Sequence, residues 1–167
     1  SFDGKIIVVD CGFGLKEFFS RIGKLKFEER DVVAIVVTHE HEDHVSGVSK
    51  LARKLNIPIW MTYGTYSNFK YDKSELDIRI IQGYRQFEIG KLIIQPFPVP
   101  HDAREPAQYF FSDESRKLGI LTDTGMITNH IVDCLHDCNH LILECNHDRD
   151  LVKRSKYPHS LKKRILG

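Results

Sequence analysis

From Thr38 to His44 the chain reads Thr-His-Glu-His-Glu-Asp-His, so three histidines and three carboxylates fill the six positions after Thr38. They follow directly on Val32-Val33-Ala34-Ile35-Val36-Val37. That run is apolar, mostly β-branched and unbroken, the pattern of a short strand covered on both faces. The polar cluster therefore stands where a buried strand ends. In layered α/β folds, sites collect at that edge. As core material the cluster would be costly, because each buried polar group needs a partner.

Metal chemistry explains the spacing. In an extended segment alternate side chains share a face, so His39 and His41 can grip one ion together. Asp43 follows on the same side, and His44 turns with the backbone as a helix begins. Two ions a few ångströms apart would use His39 and His41 on one and Asp43 and His44 on the other. Neutral imidazole and carboxylate suit zinc, iron or manganese. A solvated loop with helix-capping carboxylates accounts for a single histidine. It accounts poorly for His-x-His-x-Asp-His placed after a buried strand.

The rest of the chain reads as strands and helices around that loop. Residues 5–9 form a strand ending at Asp10-Cys11-Gly12, and 15–22 have helical spacing. Residues 45–55 read as one amphipathic helix with Val45, Val48, Leu51, Ala52 and Leu55 inward. Ser46 and Gly47 keep its first turn small enough for a metal-bound anion to approach. Residues 57–61 and 77–81 are strands, with a short helix or loop over 62–69 between them. Residues 87–89 and 92–94 flank Gly90-Lys91 as a hairpin. Pro96, Pro98 and Pro100 are expected to stop the sheet and to stiffen the approach to His101. A second hairpin joins 108–112 to 117–121 and runs into Thr122-Asp123-Thr124-Gly125. A helix over 127–135 and a strand over 140–143 lead to Glu144-Cys145-Asn146-His147-Asp148.

Several of these strand ends carry candidates. His101, just past a rigid apolar run, is the natural third ligand beside His39 and His41. Asp10 and Asp123 are each acidic residues at strand ends followed closely by glycine. Each also reads as a turn residue, and Asp123 as a helix cap; the His cluster shifts Asp123 toward ligation, where a carboxylate can bridge two ions. His147 is a candidate proton donor to a leaving group and Glu144 a candidate to orient a histidine. A plain polar loop before a helix fits that segment about as well. His130, His136 and His159 read as surface residues.

Bulk properties bound the alternatives. At 167 residues the chain is long enough to bury a core and is expected to be one domain. Its net charge of +1 favours no partner, so a nucleic-acid ligand would need a local basic patch. Lys153-Arg154-Ser155-Lys156 and Lys162-Lys163-Arg164 are such a candidate patch, or a solvated helix face. No apolar run approaches a membrane span and no signal peptide is visible. Four cysteines, Cys11, Cys134, Cys138 and Cys145, form no paired framework. Cys134 and Cys138 would share one helix face, and a reducing cytoplasm is the expected compartment.

The His-x-His-x-Asp-His stretch resembles the motif of the metallo-β-lactamase superfamily, and the resemblance extends along almost the whole chain. Val9-Asp10-Cys11-Gly12, Val37 through His44, Pro96 through Ala103 and Leu143 through Asp148 are similar to the bacterial branch of small hydrolases associated with the Wal (Vic, Yyc) two-component operon. So is the ending from Tyr157-Pro158 through Leu161 to Gly167. The resemblance implies an α/β fold, a four-layer αββα sandwich, here expected to lack its first strand and a last helix/strand segment at either end of 1–167. It implies two divalent ions, zinc first, with manganese or iron as alternatives. One ion takes His39, His41 and His101; the other takes Asp43 and His44, with Asp123 bridging and a further histidine expected beyond Gly167. Asp10 would support the metal loop from behind.

The implied activity is hydrolysis by a hydroxide held between the two ions, with Asp43 orienting it and His147 protonating the leaving group. A phosphodiester in DNA or RNA is the expected substrate, making the chain a phosphodiesterase or nuclease. The alternatives are a thioester hydrolase of the glyoxalase II type and a non-catalytic, metal-filled scaffold in cell-wall signalling. A di-iron redox site fits less well, since flavoproteins of that kind place Glu where His41 stands.

Overall fold

A computed structural model describes residues 1–113, 115–146 and 148–166, with the backbone alone described at 163, 164 and 166. Its first sheet is built from β1 (Ile6–Val9), β2 (Val32–Val36), β3 (Ile59–Thr62) and β4 (Ile78–Ile81), in that spatial order. All three pairings are parallel. Parallel neighbours need crossovers, and α1 (Leu15–Lys24) and α3 (Val48–Leu55) provide two of them. Both pack on one face of the sheet, where Phe18, Val48, Leu51 and Ala52 meet Val32, Ile35, Val37, Ile59 and Met61.

The second sheet holds β5 (Phe87–Ile89), β6 (Leu92–Pro98), β7 (Ala107–Ser112), β8 (Lys117–Leu121) and β9 (His140–Leu143). The two expected hairpins make it antiparallel through β8, and β9 returns parallel to β8 after α5 (Asn129–Leu135). Between the sheets, Val36 and Ile81 pack with Ile94, Tyr109, Phe111 and Ile120. The far face of the second sheet is covered by Ile131 of α5 on Phe97, Val99 and Leu121. Helix, sheet, sheet, helix: the expected αββα sandwich is the fold. Each fully buried Ile or Leu in these layers stabilises it by about 1.5–3 kcal/mol.

Four sequence expectations change. The prolines do not stop the sheet: Pro96 and Pro98 pair with Tyr109 and Ala107 inside β6. β5 ends opposite Ile94, so one edge of β6 is open beyond it, and prolines at alternate positions cost no ladder bond there. The helix expected over 45–55 is two, α2 (Glu42–Val45) and α3, broken at Ser46-Gly47. The loop after β1 causes the break, with Cys11 N donating to His44 O and Gly47 N to Cys11 O. Gly47 is small for the same reason: an added Cβ would lie 2.0 Å from Phe13 O. Its role is loop packing and not access for an anion. Cys138 lies beyond the end of α5, off the helix face it was expected to share with Cys134, and all four cysteines are free.

Helices α4 (Tyr63–Asn68), α6 (Arg149–Arg154) and α7 (His159–Leu166) complete the chain. Among the described residues no helix is long and apolar enough to cross a membrane.

Candidate metal centre

Strand ends from both sheets deliver the polar residues to one place. His39 follows β2, His101 follows β6 and Asp123 follows β8, while His41 caps α2 and His44 lies within it. Three imidazole nitrogens converge: His39 Nε2 is 2.8 Å from His41 Nδ1, and His101 Nε2 is 3.2 and 3.1 Å from those two. A tetrahedral ion with bonds of about 2.0–2.1 Å holds its ligand nitrogens about 3.3 Å apart. The three rings are therefore spaced as ligands of one divalent cation.

A second set shares His39 and adds His44 and Asp123, with ligand atoms all within 4.8 Å of one another. His44 Nε2 is 2.9 Å from Asp123 Oδ2. Asp43, expected in this set, stands at its rim: its side chain is 70% exposed and its Oδ2 lies 3.5 Å from His44 Nε2.

Ring orientations follow from the groups behind them. Thr38 N and Oγ1 donate to the two oxygens of Asp10 at 2.8 and 2.7 Å. With its proton committed, Thr38 Oγ1 accepts from His39 Nδ1 at 3.0 Å. Hydrogen-bond logic thus leaves the His39 lone pair on Nε2, facing the cluster. His44 Nδ1 donates to Asp10 Oδ2 at 2.8 Å, which turns its Nε2 toward Asp123. His101 Nδ1 faces Asp102 Oδ1 at 3.3 Å, and its Nε2 is the atom in the cluster. A carboxylate or hydroxyl behind each of these three rings is the arrangement that fixes metal-binding tautomers.

The charges fit a cation. Burial, helped by the neighbouring His44, His101 and His41, pushes the pKa of His39 down to about 2, so it offers a lone pair at any ordinary pH. Burial opposes charge on His44 too, but hydrogen bonds to Asp10 and Asp123 and their charges outweigh it and raise the ring to about 10. Its hydrogen bond to His44 draws Asp123 down to about 2 against the effect of burial. Two carboxylates thus flank one ring and hold positive charge at that point.

Three supporting residues were not singled out by sequence reasoning. Thr38 carries no signal beyond its place after the strand. Glu40 ties the ligand loops together, its Oε1 accepting from Arg104 N at 2.8 Å and Asn68 Nδ2 at 3.1 Å. Gly12 lets the β1 loop lie on the metal loop: a Cβ there would be 1.6 Å from Asp43 O. The signal was present in Asp10-Cys11-Gly12, but its target, Asp43, was not.

Among the described residues Glu144 meets a backbone amide and an asparagine, and no histidine. Its Oε2 accepts from the Asp123 amide at 2.7 Å and its Oε1 from Asn146 Nδ2 at 2.7 Å. Asp123 sits at φ 42° in left-handed backbone, and this bond helps hold it there. His147, the expected proton donor, lies outside the described residues. A cavity of about 750 Å³ opens beside the second set, lined by Asp43, His101, Asp123 and Glu144 on one side and by residues of α6, α7 and their connection on the other.

A family model described as the beta-lactamase superfamily domain matches residues 5–160. The chain is 32% identical over 168 residues to exodeoxyribonuclease YycJ of Bacillus anthracis, covering 99% of this chain and 64% of the relative. It is 32% identical over 170 residues to exodeoxyribonuclease WalJ of Streptococcus pneumoniae, covering 98% of this chain and 62% of the relative. The chain thus spans less than two thirds of the length of these curated relatives. The crystal structure of the short form of human tRNase Z superposes with a TM-score of 0.70 at 17% identity, covering 93% of this chain and 73% of that one, a likeness of fold.

Proposed function

The chain belongs to the beta-lactamase superfamily, and from that premise we propose that it is a dinuclear metal-dependent phosphodiesterase acting on DNA or RNA. The observation that carries this reading is a pair of ligand sets sharing His39, beside a cavity that Asp43, His101 and Asp123 line. His39, His41 and His101 would hold one divalent ion. His44 and Asp123, with Asp43 from the rim, would hold the other. Zinc suits the imidazole-rich set, with manganese or iron as rivals. The names of the two exodeoxyribonuclease relatives support nucleic acid as the substrate.

Divalent ions bound here would supply Lewis acidity to the phosphoryl oxygens and a water acidic enough to react at neutral pH. The protein's part is orientation. Asp10 and Thr38 fix His39 and His44, Asp102 faces His101, and Glu144 holds the backbone of Asp123. Asp43, exposed at the rim, would orient the attacking water. Protonation of the leaving group is assigned to His147. A reducing cytoplasm is the compartment proposed for the chain.

The test is elemental analysis beside a substrate panel. Close to two equivalents of metal per chain are expected, lost in His41→Ala, with turnover of bis(p-nitrophenyl) phosphate and of a labelled oligodeoxynucleotide. Turnover of thioesters alone would overturn the phosphodiesterase reading in favour of a glyoxalase II-type hydrolase.

A further inference from the structure

We propose that α6, α7 and the turn between them guide a single-stranded polynucleotide into the site, with Tyr157 as the platform on which a base stacks. This deepens the phosphodiesterase reading and rests on it.

The first observation is charge segregation. Residues 149–167 hold seven of the 24 Lys and Arg and one acid, Asp150, of the 23 Asp and Glu. The preceding 148 residues are left with seventeen bases and twenty-two acids. The formal charge is thus −5 over the first 148 residues and +6 over the last nineteen. Arg149, Lys153, Arg154 and Lys156 are all exposed. The one acid among them, Asp150, approaches Lys153 at 3.6 Å, and the nearby Asp148 accepts from the first amides of α6.

The second observation is position. Leu151, Val152, Ser155, Tyr157, Leu161 and Ile165 form one wall of the cavity whose other wall carries Asp43, His101 and Asp123. At about 750 Å³ it falls in the range of small-ligand sites, enough for a nucleotide or two and too small for a duplex. The wall presents an aromatic residue and aliphatic side chains, surfaces that accept a base face, and exposed Arg149, Lys153, Arg154 and Lys156 belong to the same helix and its connection. A charged groove with an aromatic platform is how sequence-tolerant single-strand binders work.

The third is rigidity. Tyr157 is 53% exposed, yet its backbone is fixed. Its amide donates to Ser155 Oγ at 3.3 Å, Pro158 follows, and Pro158 O accepts from Lys162 N at 3.0 Å. Lys162 Nζ donates to Lys153 O at 2.7 Å and ties α7 to α6. An exposed ring on a fixed turn loses little entropy when a base stacks on it.

The experiment is fluorescence anisotropy of the full metal-loaded chain with a cleavage-resistant phosphorothioate (dT)12, read against KCl concentration. Tyr157→Ala should weaken binding on the order of tenfold while Tyr157→Phe stays within about twofold. The double variant Lys153→Ala/Lys156→Ala should flatten the slope of log Kd against log salt by about 1.4, two phosphate contacts' worth. A blunt twelve-base-pair duplex should bind more weakly than the single strand. Wild-type affinity in Tyr157→Ala, an unchanged salt slope, or tighter binding of the duplex each overturns the proposal, including the case in which another segment of polypeptide fills the cavity. Bis(p-nitrophenyl) phosphate separates the two levels of the argument. Its hydrolysis by the wild type reports on the phosphodiesterase reading alone. If the wild type cannot hydrolyse it, the phosphodiesterase reading fails, whatever binds.

Discussion

Asp10 follows β1 in one sheet and Asp123 follows β8 in the other, and both approach the same ring. Asp10 Oδ2 is 2.8 Å from His44 Nδ1 and Asp123 Oδ2 is 2.9 Å from His44 Nε2. Both stand in left-handed backbone, at φ 58° and 42°, a conformation that Asp and Asn tolerate better than most residues. Both are followed two residues later by glycine. The difference lies in what else reaches the carboxylate. Asp10 also receives two donors from Thr38, so its oxygens face protein. Asp123 is held by its amide, through Glu144, and its carboxylate faces His44 and the cavity. One local pattern therefore yields a support in one place and a candidate ligand in the other. The opposing loop decides which.

The same substitution at both positions tests this contrast, because asparagine keeps the left-handed backbone, removes the charge and turns one acceptor oxygen into an NH2 donor. Asp123→Asn should have the largest effect. Losing a ligand of the second ion removes charge stabilisation worth several kcal/mol, so phosphodiester turnover should fall about a thousandfold. Elemental analysis should show close to one equivalent of metal where the wild type holds two. Two retained equivalents would mean that Asp123 is, like Asp10, a support.

Asp10→Asn should keep both ions. Its cost is the orientation of two rings at once, because Thr38 Oγ1 and His44 Nδ1 both lean on that carboxylate. Groups behind metal ligands typically carry 10- to 100-fold in affinity or activity, so metal affinity measured by chelator competition should weaken by about that factor. Loss of a full equivalent at saturating metal would erase the difference between the two aspartates.

Much of the sandwich was legible in local pattern. The buried run before His39, the alternation around Gly90-Lys91 and the helical spacing of 15–22 each report their own backbone state within a few residues. The ligand loops were legible because polar clusters after buried strands conflict with simple packing. The missed features depend on contacts between distant segments. The break between α2 and α3 comes from the β1 loop pressing on Gly47, 36 residues after Cys11. Tolerance of Pro96 and Pro98 comes from where β5 stops. Glu144 looked like a partner for a histidine and is a partner for a backbone amide. Residue type announced polar business at that strand end, but only the fold could say with whom.

Glu144→Gln gives the smallest effect and the finest cut. Glutamine keeps a carbonyl oxygen for the Asp123 amide but loses the charge that makes this bond strong, and charge-assisted hydrogen bonds are roughly twice as strong as neutral ones. It also cannot satisfy Asn146 Nδ2 through the second atom as the carboxylate does. Both metal equivalents should remain, and affinity for the second ion should fall by less than tenfold, below the Asp10→Asn effect. A support acting through Asp123 lowers activity evenly across pH, so the pH profile should keep its shape. If Glu144 instead moved a proton in the reaction, glutamine would remove one limb of that profile. That result would make the Asp123 side of His44 a reacting side twice over, and the contrast with Asp10 sharper than the geometry alone requires.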